Sequence, residues 1–444
     1  MATLIRNATI VNEGRSYAGN VLIDGKRIAA IGPAGNNDFN SQCSSLNSID
    51  ATGCLLLPGV IDEHVHFREP GTTQKGDIGS ESRAAAAGGV TTYFDMPNCR
   101  PTTTTHEAWE QKMALAAEKS RVNYAFFFGA TNDNAELLHQ LDTRRIPGVK
   151  LFMGASTGNM LVDDMKALRQ VFMESPLPVM THCEDMGIIQ TNIERLRTPQ
   201  SDDLPITCHP KIRSEKACTS STALAIRLAQ ETGATLHIAH ISTASELQMI
   251  AKAGDNVTAE ACLAHLLFCD DDYISMGSRI KCNPAIKTRA DREALRKALN
   301  DGTIMTVATD HAPHLLTDKE GGSLKAASGM PMVQFSLPAM LTLADKGVLS
   351  YERVVELMCH APADLFHIKE RGYIREGYKA DLVLVRLGKQ VVKKEDVLSK
   401  CGWSPLEGVS LNWHVDMTFC NGQVVYANKT VNDTVRGEAV TFDR

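Results

Sequence analysis

The two ends of the chain and its middle carry different hydrophobic patterns. Near the N-terminus, TLIRNATIV, GNVLIDG and RIAAIGP are β-branched runs broken by Asn, Gly and Pro, which predicts short strands. KADLVLVRL and MTFCNGQVVYA repeat that pattern near the C-terminus. Asn421-Gly422 in the second of these is the dipeptide of a two-residue hairpin turn. The ends therefore predict one small β-sandwich domain stitched together from residues 1–54 and 371–444.

Between them, residues 55–370 alternate strand-length apolar runs with longer helical patterns, the signature of βα units on a parallel sheet. Eight runs read as strands: LLLPGVID, VTTYFDM, NYAFFFG, GVKLFMG, LPVMTHC, TLHIAHI, NVTAEAC and IMTVATD. Segments such as HEAWEQKMALAAEKS, VDDMKALRQVFMES and RADREALRKALN separate them as helices. Eight such units predict a (β/α)8 barrel. A doubly wound open sheet is the rival, but no strand is followed by G-x-G-x-x-G or by a phosphate-binding G-x-x-x-x-G-K-S/T.

Composition narrows the function. The 444 residues carry 46 basic and 52 acidic side chains, a net charge of −6, which disfavours a nucleic-acid surface built on phosphate neutralisation. No apolar run approaches the roughly 18–20 residues of a membrane span. The opening MATLIRNATIVNEG lacks the charged-then-apolar pattern of a secretory signal, so the expected compartment is cytoplasmic. The 12 cysteines contain no C-x-x-C pair and read as reduced packing residues.

The chemistry lies in the histidines. In a barrel, functional groups sit at the C-terminal ends of the strands. Reading those ends gives His64 and His66 after the first run, Asn98 after the second, His182 after the fifth, His240 after the sixth and Asp310 after the eighth. His64 and His66 are one residue apart, so an extended strand points both imidazoles to one face. A lone His there is most often structural; four of them with an Asp predict a site for zinc or a related divalent ion. Lys150 lies inside the apolar run GVKLFMG. It is either a snorkelling amine or a neutralised, modified one serving the metal site.

DEHVHFREPG at 62–71 resembles the first signature of the dihydroorotases, cyclic amide hydrolases of the amidohydrolase superfamily, and ATDHAPHLLTDK at 308–319 resembles the second. GVKLFMG, THCED, HIAHIST, NPAIKTRADREAL and SGMP extend the resemblance over essentially the whole chain. It implies two Zn2+ per subunit: one on His64, His66 and Asp310, the other on His182 and His240, bridged by N6-carboxylated Lys150. It implies the reversible cyclisation of N-carbamoyl-L-aspartate to dihydroorotate in pyrimidine biosynthesis, with Asp310 moving the proton. Arg68, Asn98 and His314 would hold the substrate carboxylate, and Asn283, Gly329 and Met330 the ring. A homodimer or larger homo-oligomer is expected, and association with aspartate transcarbamoylase is left open.

Leu263-Ala264-His265 departs from the Pro-His-His usual in relatives, which leaves His265 without an assigned role. GASTGN at 154–159 is expected to be a loop that closes over substrate. His106, His139, His237, His360, His367 and His414 are expected to be structural. Allantoinase is the nearest alternative, but such sequences more often carry Asn where this chain has Arg68. ATDHAPH is not the usual dihydropyrimidinase pattern. A catalytically inactive scaffold homologue would have lost ligands, and here every ligand position is filled.

Overall fold

The computed structural model describes residues 2–34, 46–154, 160–197 and 202–444. The N-terminal strands are β1 (Ala2–Asn12), β2 (Arg15–Asp24), β3 (Arg27–Pro33), β4 (Leu46–Asp50) and β5 (Cys54–Pro58). The barrel strands are β6 (Val60–Val65), β7 (Val90–Asp95), β8 (Asn123–Phe126), β9 (Phe128–Gly129), β10 (Val149–Phe152), β11 (Val179–His182), β12 (Leu236–Ile238), β13 (Val257–Cys262) and β14 (Thr306–Ala308). The C-terminal strands are β15 (Leu382–Val391), β16 (Ser410–Cys420), β17 (Gln423–Ala427) and β18 (Thr430–Val431).

The two ends knit into one nine-stranded sheet in the order β18-β17-β16-β15-β5-β1-β2-β3, with β4 beside β1. The seam is β5, parallel to β1 on one side and antiparallel to β15 on the other. The two-residue period of a strand gives this sheet two apolar faces. Leu56, Leu382 and Leu384 pack with Ile5, Ile10 and Val21 in the sheet's own cluster. Their neighbours Leu55, Leu57, Val383 and Val385 join the main barrel core. Asn421 (φ 50°) and Gly422 (φ 75°) form the expected turn between β16 and β17.

The run LLLPGVID, expected as one barrel strand, is divided between β5 and β6, so the chain crosses into the barrel at Gly59, four residues beyond the expected boundary after residue 54. A Cβ at Gly59 would lie 2.1 Å from Thr91 Oγ1, so only glycine lets sheet and barrel approach this closely. The barrel strands are parallel in the order β6-β7-β8 and β9-β10-β11-β12-β13-β14, with β8 and β9 a single run broken at Phe127. Helices begin on side-chain caps that satisfy their free N–H groups: Asp77 before α1 (Ile78–Ala87), Thr105 before His106–Lys119, Ser214 before Glu215–Thr232 and Thr288 before Arg289–Asp301. No helix among the described residues is long and apolar enough to cross a membrane.

The last residues return to the barrel and close its N-terminal end. Phe442 is buried, and its ring centroid lies 5.8 Å from that of Phe94, which also packs on Phe366 at 5.2 Å. Phe442 N–H donates to Arg144 O at 3.0 Å, and the Arg444 guanidinium donates to Phe366 O and Pro147 O. Phe442→Ala is expected to cost about 3–5 kcal/mol in denaturant unfolding, the range for a buried aromatic; an unchanged midpoint would mean that the tail adds nothing to the core.

Candidate metal centre

Closure of the barrel brings the first and last strands together. Asp62, buried in β6, accepts from Thr309 Oγ1 (2.6 Å), Thr309 N (3.2 Å) and His64 N (3.3 Å). Burial pushes its pKa up to about 6, with those donors opposing the shift. His66 N–H adds a bond to His311 O at 2.7 Å. The staple leaves His64, His66 and Asp310 side by side.

Three of the four imidazoles have one nitrogen held by an oxygen and the other offered. His64 Nδ1 pairs with Glu260 Oε1 at 2.8 Å, and its Nε2 lies 3.5 Å from Asp310 Oδ1. His66 Nδ1 pairs with Asn98 Oδ1 at 2.8 Å, and its Nε2 lies 3.0 Å from the same oxygen. His182 Nε2 pairs with Glu184 Oε2 at 2.9 Å, and its Nδ1 lies 2.9 Å from His240 Nε2. Since these acceptors take the one imidazole hydrogen, the offered nitrogens keep lone pairs for a ligand. The His64 and His240 ring centroids are 5.4 Å apart, which joins the two groups.

Lys150 stands beside them with its residue fully buried and its Nζ without a hydrogen-bond partner among the described residues. Burial lowers its pKa, with the Glu260 and Asp310 charges opposing. Burial also works against charge on Asp310, but His64, His66 and Lys150 outweigh it and hold that carboxyl far below its usual range. His240 and Asp310 each lie two residues past a strand end, at φ 41° and 48°, and Arg68 at φ 68°. Left-handed backbone at three non-glycine residues of one site is strain held in place by its surroundings.

These side chains open on a cavity of about 450 Å³. Arg68, Asn98, Asn283, His314 and Gly329 line it; the Met330 side chain does not, being buried in the main core. Arg68 reaches the cavity although the strand geometry ends at Val65: its Nε donates to Pro313 O at 3.0 Å, and Nη2 lies 3.0 Å from His314 Nε2. Burial, with Arg68 and Lys75 adding to it, pushes His314 down to about 2, so its ring is neutral. A Cβ at Gly329 would meet Ala312 Cβ at 2.7 Å, and its φ of +125° suits glycine alone. His265 lies outside the lining, its Nε2 paired with Pro284 O at 3.0 Å. Of GASTGN, residues 155–159 lie outside the described residues.

Several working residues escaped the sequence reading. Glu260 sits in the apolar run NVTAEAC and carried the same signal as Lys150, a charge inside a strand. Glu184 follows His182 by two residues. Arg213, which pairs with Glu184, and Lys281 line the cavity from loops that gave no signal. Lys319 is buried and donates to three carbonyls, Lys281 O, Ala327 O and Gly329 O at 2.7–3.0 Å, which ties down the loop that carries Gly329. Glu63 is fully buried against Glu260, and burial raises its pKa well above the usual range.

A (β/α)8 barrel with imidazole and carboxylate donors gathered at its C-terminal mouth is the architecture of the amidohydrolases. The model of the amidohydrolase family matches residues 55–425, and the chain belongs to that family. It is 34% identical over 439 residues to the dihydroorotase of Lactobacillus gasseri, covering 97% of this chain and 100% of the relative. It is 36% identical to that of Halobacterium salinarum, covering 97% of each. Among solved structures, an L-hydantoinase (dihydropyrimidinase) from Arthrobacter aurescens superposes with a TM-score of 0.90 at 28% identity over 97% of each chain. A dihydropyrimidinase from Brevibacillus agri does so at 0.90 and 26% over all of both.

Asp62→Ala removes three acceptor contacts and leaves Thr309 donors buried. It is expected to lower stability by about 2–3 kcal/mol in denaturant unfolding, and a loss below about 0.5 kcal/mol would show that the strands close without the staple.

Proposed function

We propose that the chain is a zinc-dependent dihydroorotase that interconverts N-carbamoyl-L-aspartate and dihydroorotate in pyrimidine biosynthesis. The observation that carries the choice of substrate is Arg68. It forms no ion pair with a carboxylate among the described residues. Its neighbour Glu69 is taken by Lys119 Nζ at 2.5 Å and by Ile78 N–H at 3.0 Å. A partly buried guanidinium on a cavity wall, unmatched by protein carboxylate, suits a substrate that brings its own. The dihydroorotase relatives support the same reading; allantoin and hydantoin carry no carboxylate.

The donor set fits metal. His64, His66 and Asp310 offer ligand atoms within 4.8 Å of one another, and His182 and His240 offer a second pair of nitrogens. Those groups would hold two Zn2+, with Lys150 shared between them as an N6-carboxylated lysine. The lowered pKa of Lys150 supports this, because only the neutral amine adds carbon dioxide, and the anionic carbamate gives the orphaned nitrogen a purpose. When bound, such ions supply Lewis acidity to a water and to the amide carbonyl.

The protein's own groups do the rest. Arg68, with Asn98 and His314, fixes the substrate carboxylate and so the ring. Asp310 accepts the proton of the attacking water and passes it to the departing ring nitrogen. In the synthetic direction Asp310 takes the proton of the carbamoyl nitrogen and returns it to the departing hydroxyl.

Turnover of dihydroorotate, allantoin and hydantoin measured side by side tests this reading: dihydroorotate should be by far the fastest, and a preference for either carboxylate-free ring would overturn it. Asp310→Asn is expected to lower kcat by about 10²–10⁴ without loss of fold. Lys150→Ala should lose bound metal and activity together, with partial rescue by short carboxylic acids; full metal content in that variant would remove Lys150 from the centre. Arg68→Met should raise KM for dihydroorotate by about tenfold or more, and an unchanged KM would break the carboxylate contact.

A further inference from the structure

The wall of the cavity formed by residues 310–314 is held from outside by a segment that belongs to neither the barrel strands nor the cavity lining. Beyond Asp310, the His311 imidazole faces away from the site. Its Nδ1 accepts from Met332 N (3.0 Å) and Val333 N (3.2 Å), so its hydrogen sits on Nε2 and is given to Glu81 Oε2 at 2.8 Å. Glu81, on α1, is fully buried and accepts three further bonds: from Ser80 Oγ (2.9 Å), Ser399 Oγ (2.5 Å) and the Lys400 backbone N–H (2.9 Å). Two of its four donors thus come from the C-terminal part of the chain, between β15 and β16.

The same segment reaches the other end of the wall. Trp403, fully buried, donates its indole N–H to His314 O at 2.7 Å. Gln334, next to the residues that grip His311, is bound on both sides of its amide: its Nε2 donates to Asp396 O at 2.6 Å and its Oε1 accepts Leu398 N–H at 2.8 Å. Residues 396–403 are therefore bonded to the supports of Asp310 and to the backbone of His314, and do not line the cavity onto which those two residues open.

We infer that this C-terminal segment is a working part of the catalytic wall, with Glu81 and Trp403 the positioning residues through which it sets Asp310 and His314. Asp310 stands on left-handed backbone, a conformation that persists only where its surroundings over-determine it. Upstream it is held by the Thr309–Asp62 bonds and downstream by His311. Without Ser399 and Lys400, the buried Glu81 carboxylate would lose half its donors, and the His311 ring would lose its fixed partner. Trp403 acts on His314 through the carbonyl, and Arg68 Nε holds the preceding carbonyl of Pro313, so one peptide ties together two of the three carboxylate contacts, Arg68 and His314.

The inference rests on the roles proposed above for Asp310 and His314, and full-length, metal-loaded protein tests it. Trp403→Phe keeps the ring and deletes one N–H; it is expected to raise KM for dihydroorotate about fivefold with kcat within about twofold. Glu81→Gln keeps the shape and removes an acceptor; it is expected to lower kcat about tenfold or more with KM little changed. Loss of metal to a chelator needs no substrate and should quicken in Glu81→Gln, through Asp310, but not in Trp403→Phe. Ser399→Ala, a smaller lesion, should move in the direction of Glu81→Gln and carries the test if that variant fails to fold. Thermal midpoints that fall while kcat, KM and chelation rate all stay at the wild-type values would make the segment purely structural and overturn the inference. Wild-type protein that does not turn over dihydroorotate would instead defeat the proposed substrate, with the chelation arm still deciding the role of Glu81.

Discussion

Asp62 accepts hydrogen bonds from Thr309, 247 residues away in the chain, and from the backbone of His64 two residues on. The rest of the site depends on that contact. A parallel barrel closes only where its first and last strands meet, and here the meeting is made by a buried carboxyl and one backbone bridge, Val65 to His311, not by a long ladder: β14 has three residues and, among the described strands, pairs with β13. Because the staple sits one turn of chain from His64 and from Asp310, closure of the barrel and assembly of the donor set are one event. The fold cannot form its last seam without bringing the imidazoles of the first strand to the carboxylate of the last.

Burial is the second constraint. His64, His182, His240 and Lys150 all sit in the interior, where each charged form costs free energy, and burial leads every downward shift among these residues that is resolved. The chain answers with carboxylates and an amide placed behind the rings: Glu260 behind His64, Asn98 behind His66, Glu184 behind His182. Each fixes one nitrogen and leaves its partner as a lone-pair donor. The offered atoms of His64, His66 and Asp310 then stand close to one another on the cavity wall, an arrangement of donors suited to a metal ion.

Much of this was legible in the sequence, and the reason is periodicity. Seven of the eight expected barrel runs coincide with strands, because a strand buried on both sides reads as an uninterrupted apolar run. The eighth, LLLPGVID, misled because an apolar run continued through Gly59 from one sheet into another; nothing in hydrophobicity marks that border, only the close approach to Thr91 that excludes a side chain. His64, His66, His182, His240 and Asp310 could be found because strand ends are where a barrel keeps its chemistry. Arg68 stood out through the signature motif; it lies beyond the end of β6 and reaches the cavity held by the Pro313 carbonyl. Met330 was expected to meet the ring partly through backbone groups; its carbonyl receives Ala312 N–H beside the site while its side chain turns into the core. Arg213 and Lys281 lie in loops and Lys319 at the end of a single short helical turn, and such positions carry no period from which to read them.

The least legible part is the contribution of the small β domain. By pattern, residues after the barrel are a second unit whose strands cover apolar surface, and β15 and β16 do that. Yet the connection between them bonds to Glu81 and to the His314 carbonyl, and the last residues seal the barrel's opposite end with Phe442 and Arg444. Polar side chains on a connection have no hydrophobic signature, since their value lies in a partner hundreds of residues earlier: Ser399 and Glu81 are separated by 318 positions. A buried carboxylate such as Glu81 needs every donor it has, so the connection is bound to the barrel as firmly as any strand. The terminal domain therefore encloses the barrel at both ends, and the backbone that carries Asp310 and His314 is a product of the whole chain.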